Sequence, residues 1–168
     1  MRLSKEGFTL IEVIVTLILV GIMAAALGMG LVHVVKGFVF TKLTTSTLQK
    51  GQLAMSRISM ELNNISLVSS PSTDTTITFY SYKNDVKKRR TIRWTGDKIE
   101  IDDGDGIFKA LTDQVATTNG FELKYYANYS DTIPCYPSSA KIVVVTLRMV
   151  GADGHIMELV ERTTPRNI

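Results

Sequence analysis

Between Val13 and Val32 the chain carries no formally charged residue; the stretch reads VIVTLILVGIMAAALGMGLV. Twenty residues of helix rise about 30 Å, the thickness of a bilayer's hydrocarbon core. Charges become frequent only beyond Lys36 and cluster between Lys83 and Asp105. The part that follows the helix, from about Ser69 onward, is about 100 residues of the 168 and suits one modest core. A core of that size cannot cover a helix that is apolar on all sides. A cleaved secretory signal is the other reading, but its apolar region would be shorter and would end at a small-residue site. Ala24, Ala25 and Ala26 offer such a site, yet the apolar run continues past them to Val32. The expectation is a membrane-inserted helix. Arg2 and Lys5 precede it and Lys36, Lys42 and Lys50 follow it, so charge alone leaves its direction open.

One residue is out of keeping with this segment. Glu12 stands at the edge of the apolar run, after Phe8, Thr9, Leu10 and Ile11. Drawing a carboxylate into a bilayer costs about 2.5–3.5 kcal/mol on insertion scales, so such a residue usually has a partner. The apolar stretch offers no cation. The nearest candidate is the amine that a cut before Phe8 would create.

The run Gly7-Phe8-Thr9-Leu10-Ile11-Glu12-Val13, behind a short basic leader and ahead of a long apolar stretch, resembles the processing site of type IV prepilins and type II secretion pseudopilins. The resemblance covers about the first 30 residues. It implies removal of Met1 to Gly7 by a prepilin peptidase on the cytoplasmic side and N-methylation of Phe8. It also implies a single pass through the inner membrane, with the N-terminus cytoplasmic and the head in the periplasm or outside the cell. The implied partners are that peptidase, other pilins or pseudopilins, the inner-membrane assembly platform and membrane lipid. In such filaments Glu12 would pair with the Phe8 amine of a neighbouring subunit. The first proline of this chain is Pro71, and Cys135 is the only cysteine. Major pilins commonly have a proline in the helix and paired C-terminal cysteines, so both departures point to a minor pilin or minor pseudopilin. The Tyr-rich strand, the Val-rich strand and the terminal Pro165-Arg166-Asn167 are also similar to PilW-type minor pilins and J-type minor pseudopilins.

The expected fold is α+β and pilin-like: a long N-terminal helix, its first half membrane-embedded, packed on an antiparallel β-sheet head. Residues 1–7 form the leader. Residues 8–68 form the helix, transmembrane over about 8–32 and amphipathic over about 44–68. Residues 69–168 form the extracytoplasmic head. Leu48, Gly51, Met55, Ile58, Leu62 and Ile65 recur at three- and four-residue steps and mark the helix face that packs on the sheet. Only Gly51 interrupts that seam; Arg57 and Glu61 fall off it. Gly21 and Gly28 share one helix face, where glycine permits close helix approach. Ser69, Ser70, Pro71 and Ser72 end the helix. Strands are expected at Thr75 to Tyr82, Arg90 to Trp94, Lys98 to Asp102, Phe121 to Tyr126, Ile142 to Val150 and Ile156 to Arg162. Gly96-Asp97 is read as a hairpin turn.

Other clusters carry competing readings. Asp102, Asp103 and Asp105, with Gly104 and Gly106, raise a calcium loop, and some pseudopilins bind calcium in the head. Ile101, however, occupies the first EF-hand position, where an acid is required. A solvated turn is the favoured reading, with no cofactor. Lys87, Lys88, Arg89, Arg90 and Arg93, near Tyr80, Tyr82 and Trp94, raise nucleic-acid contact. Cations along a strand point to both faces, and a charge-guarded hairpin edge is favoured; nucleic acid is not an expected partner. His33 and His155 stand in no metal-ligand or nucleophile motif, and Cys135 reads as a loop or packing residue. The chain is therefore read as no enzyme. The resemblance implies a structural subunit that helps initiate or cap a type IV pilus or a type II secretion pseudopilus. The alternatives are a DNA-uptake (competence) pilin and a membrane-anchored binding domain.

Overall fold

The structure is a computed structural model and describes residues 9–83 and 86–165. Helix α1 spans Leu10–Asn63. Eight strands follow: β1 Ile65–Ser69, β2 Thr76–Lys83, β3 Val86–Thr95, β4 Lys98–Asp102, β5 Phe108–Thr112, β6 Phe121–Tyr126, β7 Ile142–Val150 and β8 Ile156–Thr163. They form a five-stranded sheet in the order β1-β2-β3-β4-β5 and a three-stranded sheet in the order β6-β7-β8. All the pairings are antiparallel, as short hairpin connections allow. The arrangement is the expected α+β, pilin-like one, but with two antiparallel sheets in the head.

The chain divides into two compact units, Met1–Lys42 and Leu43–Ile168. In the first, every described residue of α1 is exposed. Aliphatic side chains all round a helix are stable only in an apolar surrounding. One helix among the described residues is long and apolar enough to cross a membrane, and it is this one. The polar side chains here are largely satisfied within the helix. Thr16 Oγ1 donates to the Val13 carbonyl at 2.9 Å, and Thr41 Oγ1 donates to that of Gly37 at 2.9 Å. His33 Nδ1 lies 2.8 Å from the Met29 carbonyl and donates to it when that nitrogen carries the proton.

In the second unit, α1 buries the predicted seam from Gly51 to Leu62, while Leu48 at its start is half-buried. Met55, Ile58 and Leu62 join Ile77, Phe79, Ile92 and Ile99 of one sheet and Phe121, Leu123, Val145 and Met149 of the other. Each fully buried aliphatic or aromatic side chain here contributes about 1.5–3 kcal/mol relative to exposure. The break in the seam at Gly51 has a steric reason. A Cβ there would lie 2.7 Å from Leu159 Cδ1 and 2.9 Å from Met149 Cγ, so a larger residue would push the helix off β7 and β8.

The helix ends at Asn63, not Val68, and Ile65–Ser69 is strand β1. Asn63 and Asn64 favour non-helical backbone through their own side chains, and Ile65 and Val68 favour a pleated surface. Ile65 satisfies both periods: it continues the helical seam, and it faces the core from the strand with no exposed surface. A register shift between Ile65 and Leu67 lets Ile65 and Val68 point inward together. The 8–68 helix of the sequence reading is thus shortened, and the head gains an edge strand. Strand β5 had no counterpart in the sequence reading. The Gly96-Asp97 turn is confirmed, with Thr95 paired to Lys98 across it.

Gly120 tests the packing between β6 and the segment before it. A Cβ at this position would meet the Ala116 carbonyl oxygen at 1.9 Å and Val115 Cγ1 at 2.7 Å. The obstacle is backbone, held by the Ala116 N–H donating to Arg148 O at 2.9 Å and the Arg148 N–H donating to Gly120 O at 2.8 Å. Gly120→Ala is therefore expected to lower the stability of the head by about 1–3 kcal/mol. The check is the urea midpoint; an unchanged midpoint would show that the segment moves aside without cost.

Candidate functional site

Gly7 and Phe8, the predicted processing residues, lie outside the described residues. The site begins with the first turn of α1, where the N–H groups of Glu12 and Val13 donate to the Thr9 carbonyl at 3.1 and 3.3 Å. Glu12 is the acidic residue of that turn. A carboxylate there complements the partial positive charge of the helix N-terminus. It is exposed and takes part in no ion pair or side-chain hydrogen bond among the described residues. Thr16, His33 and Thr41 each close a bond to their own helix, so Glu12 differs from them in kind. Nothing within the described chain satisfies it. An added Cβ at Gly21 or Gly28 meets no atom of this chain within 4 Å.

A second polar constellation lies in the head. Glu61 is buried although the seam pattern had left it on the polar face. Its Oε2 accepts from Arg90 Nη1, on β3, and its Oε1 lies 2.7 Å from Arg57 Nη2, one helical turn earlier. Arg90 is buried as well, with Asp103 Oδ1 4.0 Å from its Nη1. Arg57, Met60, Asn63, Asn64, Ser81 and Tyr82 join the pair in lining a groove of about 440 Å³. The sequence reading missed this pairing. The available signal was Glu61 three residues after Ile58 and next to Leu62, on the border of the buried face.

The acidic turn is built from local bonds. Asp102 Oδ1 accepts the N–H groups of Gly104, Asp105 and Gly106 at 2.8, 3.1 and 3.0 Å. Asp105 accepts from the Ile107 N–H at 3.0 Å and from Lys109 Nζ at 2.9 Å. The Lys109 ammonium and the Ile107 N–H hold the Asp105 carboxyl down at about 2, and Asp105 in turn raises Lys109. Asp103 faces Arg57 and Arg90 instead. The three carboxylates thus serve different partners, and no group of three or more His, Cys, Asp or Glu among the described residues is disposed to hold a metal.

The basic run divides by register. Tyr80 pairs with Arg89 and Tyr82 with Lys87, which puts these four on one face of the β2–β3 hairpin. Arg90 turns inward to Glu61. Arg93 bonds Glu100 at 2.9 Å, which draws the Glu100 carboxyl below its ordinary range, and stacks over the Phe108 ring at 3.5 Å. Trp94 and Cys135 pack against the core, and the Cys135 N–H donates to Tyr125 O at 2.7 Å. Burial raises the Tyr125 phenol, which donates to Thr73 O at 2.9 Å.

A family model described as the prokaryotic N-terminal methylation motif matches residues 2–28. No curated protein and no solved structure matches the chain. The motif, ending within an exposed apolar helix, supports a type IV pilin-like protein anchored in a membrane, one that meets a prepilin peptidase and other pilin subunits in general.

Proposed function

We propose that the chain is a structural minor pilin or minor pseudopilin, cut between Gly7 and Phe8 and methylated at Phe8, that helps initiate or cap a pilus or secretion pseudopilus. The observation that carries this reading is Glu12. It is the one side chain at the apolar end of α1 left unsatisfied by its own helix, and it stands four residues beyond the residue that cleavage would make the new N-terminus. A cation created there, on a neighbouring subunit, matches it in charge and depth. Exposed glycines at 21 and 28 leave room on one helix face for a second helix to approach. The absence of a helix proline before Pro71 and of a second cysteine favours a minor over a major subunit. The role needs no catalytic turnover and no cofactor.

The test is maturation. Co-expressed with a prepilin peptidase, the chain is expected to yield a mature N-terminus at methylated Phe8, read by intact mass and N-terminal sequencing. Gly7→Leu is expected to leave full-length precursor in the membrane, because glycine keeps the scissile backbone accessible and free. An uncut wild-type chain, or normal maturation of Gly7→Leu, would favour a conventionally anchored binding domain instead.

A further inference from the structure

The segment from Lys83 to Arg89 holds four cations against one acid, Asp85. Lys87, Lys88 and Arg89 are exposed, and none forms an ion pair among the described residues. The acids nearest in the fold are engaged elsewhere: Asp102 with backbone N–H groups, Asp105 with Lys109, and Asp103 and Glu61 with Arg57 and Arg90. Strand β4 pairs with β3 only from Thr91 on, and beyond that last pair, at Asp102, the turn closes beside Arg89 so tightly that a Cβ on Gly104 would lie 2.8 Å from the Arg89 carbonyl.

Aromatic rings accompany the charge. Tyr80 and Tyr82 alternate along β2 on the face that carries Lys87 and Arg89. Lys87 Nζ stands 4.8 Å from the centre of the Tyr80 ring, which keeps the ammonium above the sheet. Tyr82 is 59% exposed. Cations that follow a phosphate backbone, next to rings on a pleated surface that stack its bases, are the two components of single-strand recognition.

We infer that the outer face of the β2–β3 hairpin binds single-stranded nucleic acid, with its phosphates on Lys87 and Arg89 and a base stacked on Tyr82. Binding at this face is independent of whether the N-terminus is processed. The sequence could not place the tyrosines with the cations, because that depends on the β2–β3 register.

The experiment uses the full chain in phosphatidylcholine nanodiscs and a fluorescein-labelled oligothymidylate, read by anisotropy. Two phosphate contacts on a single strand predict an affinity that falls about sevenfold between about 50 and 200 mM salt. Lys87→Gln/Arg89→Gln should abolish most of that salt dependence. Tyr82→Ala should weaken binding roughly tenfold and leave the salt slope unchanged. Both variants alter exposed side chains, and circular dichroism checks that they fold. Three results would overturn the inference. The oligonucleotide is not bound while phosphatidylglycerol vesicles are, which would make this a membrane-facing surface. Inorganic polyphosphate competes fully and Tyr82→Ala binds normally, which would leave charge without base stacking. Or the double variant binds as the parent does.

Discussion

Glu61→Ala is expected to cost the head about 3–5 kcal/mol, because it leaves the Arg90 guanidinium buried without its counter-ion. For a domain whose total stability is of the order of 5–15 kcal/mol, that is a large share. Arg90→Ala should be comparably severe. The reverse truncation leaves the Glu61 carboxylate with Arg57 alone, and Arg57 is itself half-exposed. Glu61→Gln keeps the shape and one acceptor, and should fall between parent and alanine variant. The informative variant replaces both partners. In Glu61→Leu/Arg90→Met no charge is buried, and Arg57 and Asp103 can turn to water. Swaps of buried ion pairs for apolar residues of similar volume are often neutral or stabilising, so this variant should recover most of the loss. Urea unfolding in detergent micelles measures the series, followed by the single tryptophan, Trp94, which packs against the core from β3. Single variants within about 1 kcal/mol of the parent would mean that solvent reaches the pair.

The pair also shows what a periodic reading can and cannot find. Gly51, Met55, Ile58 and Leu62 were legible as the buried face, because apolar spacing reports burial directly, whereas Leu48 is only half-buried and Thr47 takes the buried place of that turn. Glu61 was not, because its burial depends on an arginine 29 residues later on another element. The helix end was misplaced for a related reason. Ile65 fits helix and strand periods equally, and the choice is made by the pairing of Ile65 with Ser81 and Val68 with Phe79, contacts that lie beyond any local window. Strands β4, β6 and β7 were legible to the residue, each with strong β-formers between clear breakers. Strand β5, Phe-Lys-Ala-Leu-Thr, has little alternation, and a register shift in its pairing with β4 disturbs what there is. The division of the head into two sheets was equally out of reach, since nothing local says that β5 and β6 do not pair. The N-terminal motif was legible for the opposite reason: its chemistry is contained in adjacent residues.

At that motif the largest functional effect is expected. Glu12→Ala and Glu12→Gln should be cut and retained in the membrane as well as wild type, yet should fail to co-purify with partner pilin subunits. The argument rests on where the charge can be satisfied. An unpaired carboxylate in the apolar segment costs about 2.5–3.5 kcal/mol. Docking against a Phe8 amine on another subunit removes that penalty and the amine's own. Recovering the carboxylate's share alone corresponds to on the order of a 100-fold change in partner affinity. Within one processed helix the two groups lie about a turn, about 6 Å, apart along the axis, so a pairing between helices can place them closer while drawing the incoming subunit into register. Neutral variants insert more readily than the parent, so a fall in membrane level cannot explain lost assembly. Glu12→Gln separates charge from shape, and Thr16→Val serves as the control. Thr16 already bonds the Val13 carbonyl of its own helix, and its removal should leave assembly intact. The measurements are co-purification with partner pilins and pilus or secretion output. Wild-type recovery by both Glu12 variants would show that the charge does not drive docking. Loss in Thr16→Val as well would show that this end of the helix is sensitive to any change of polarity.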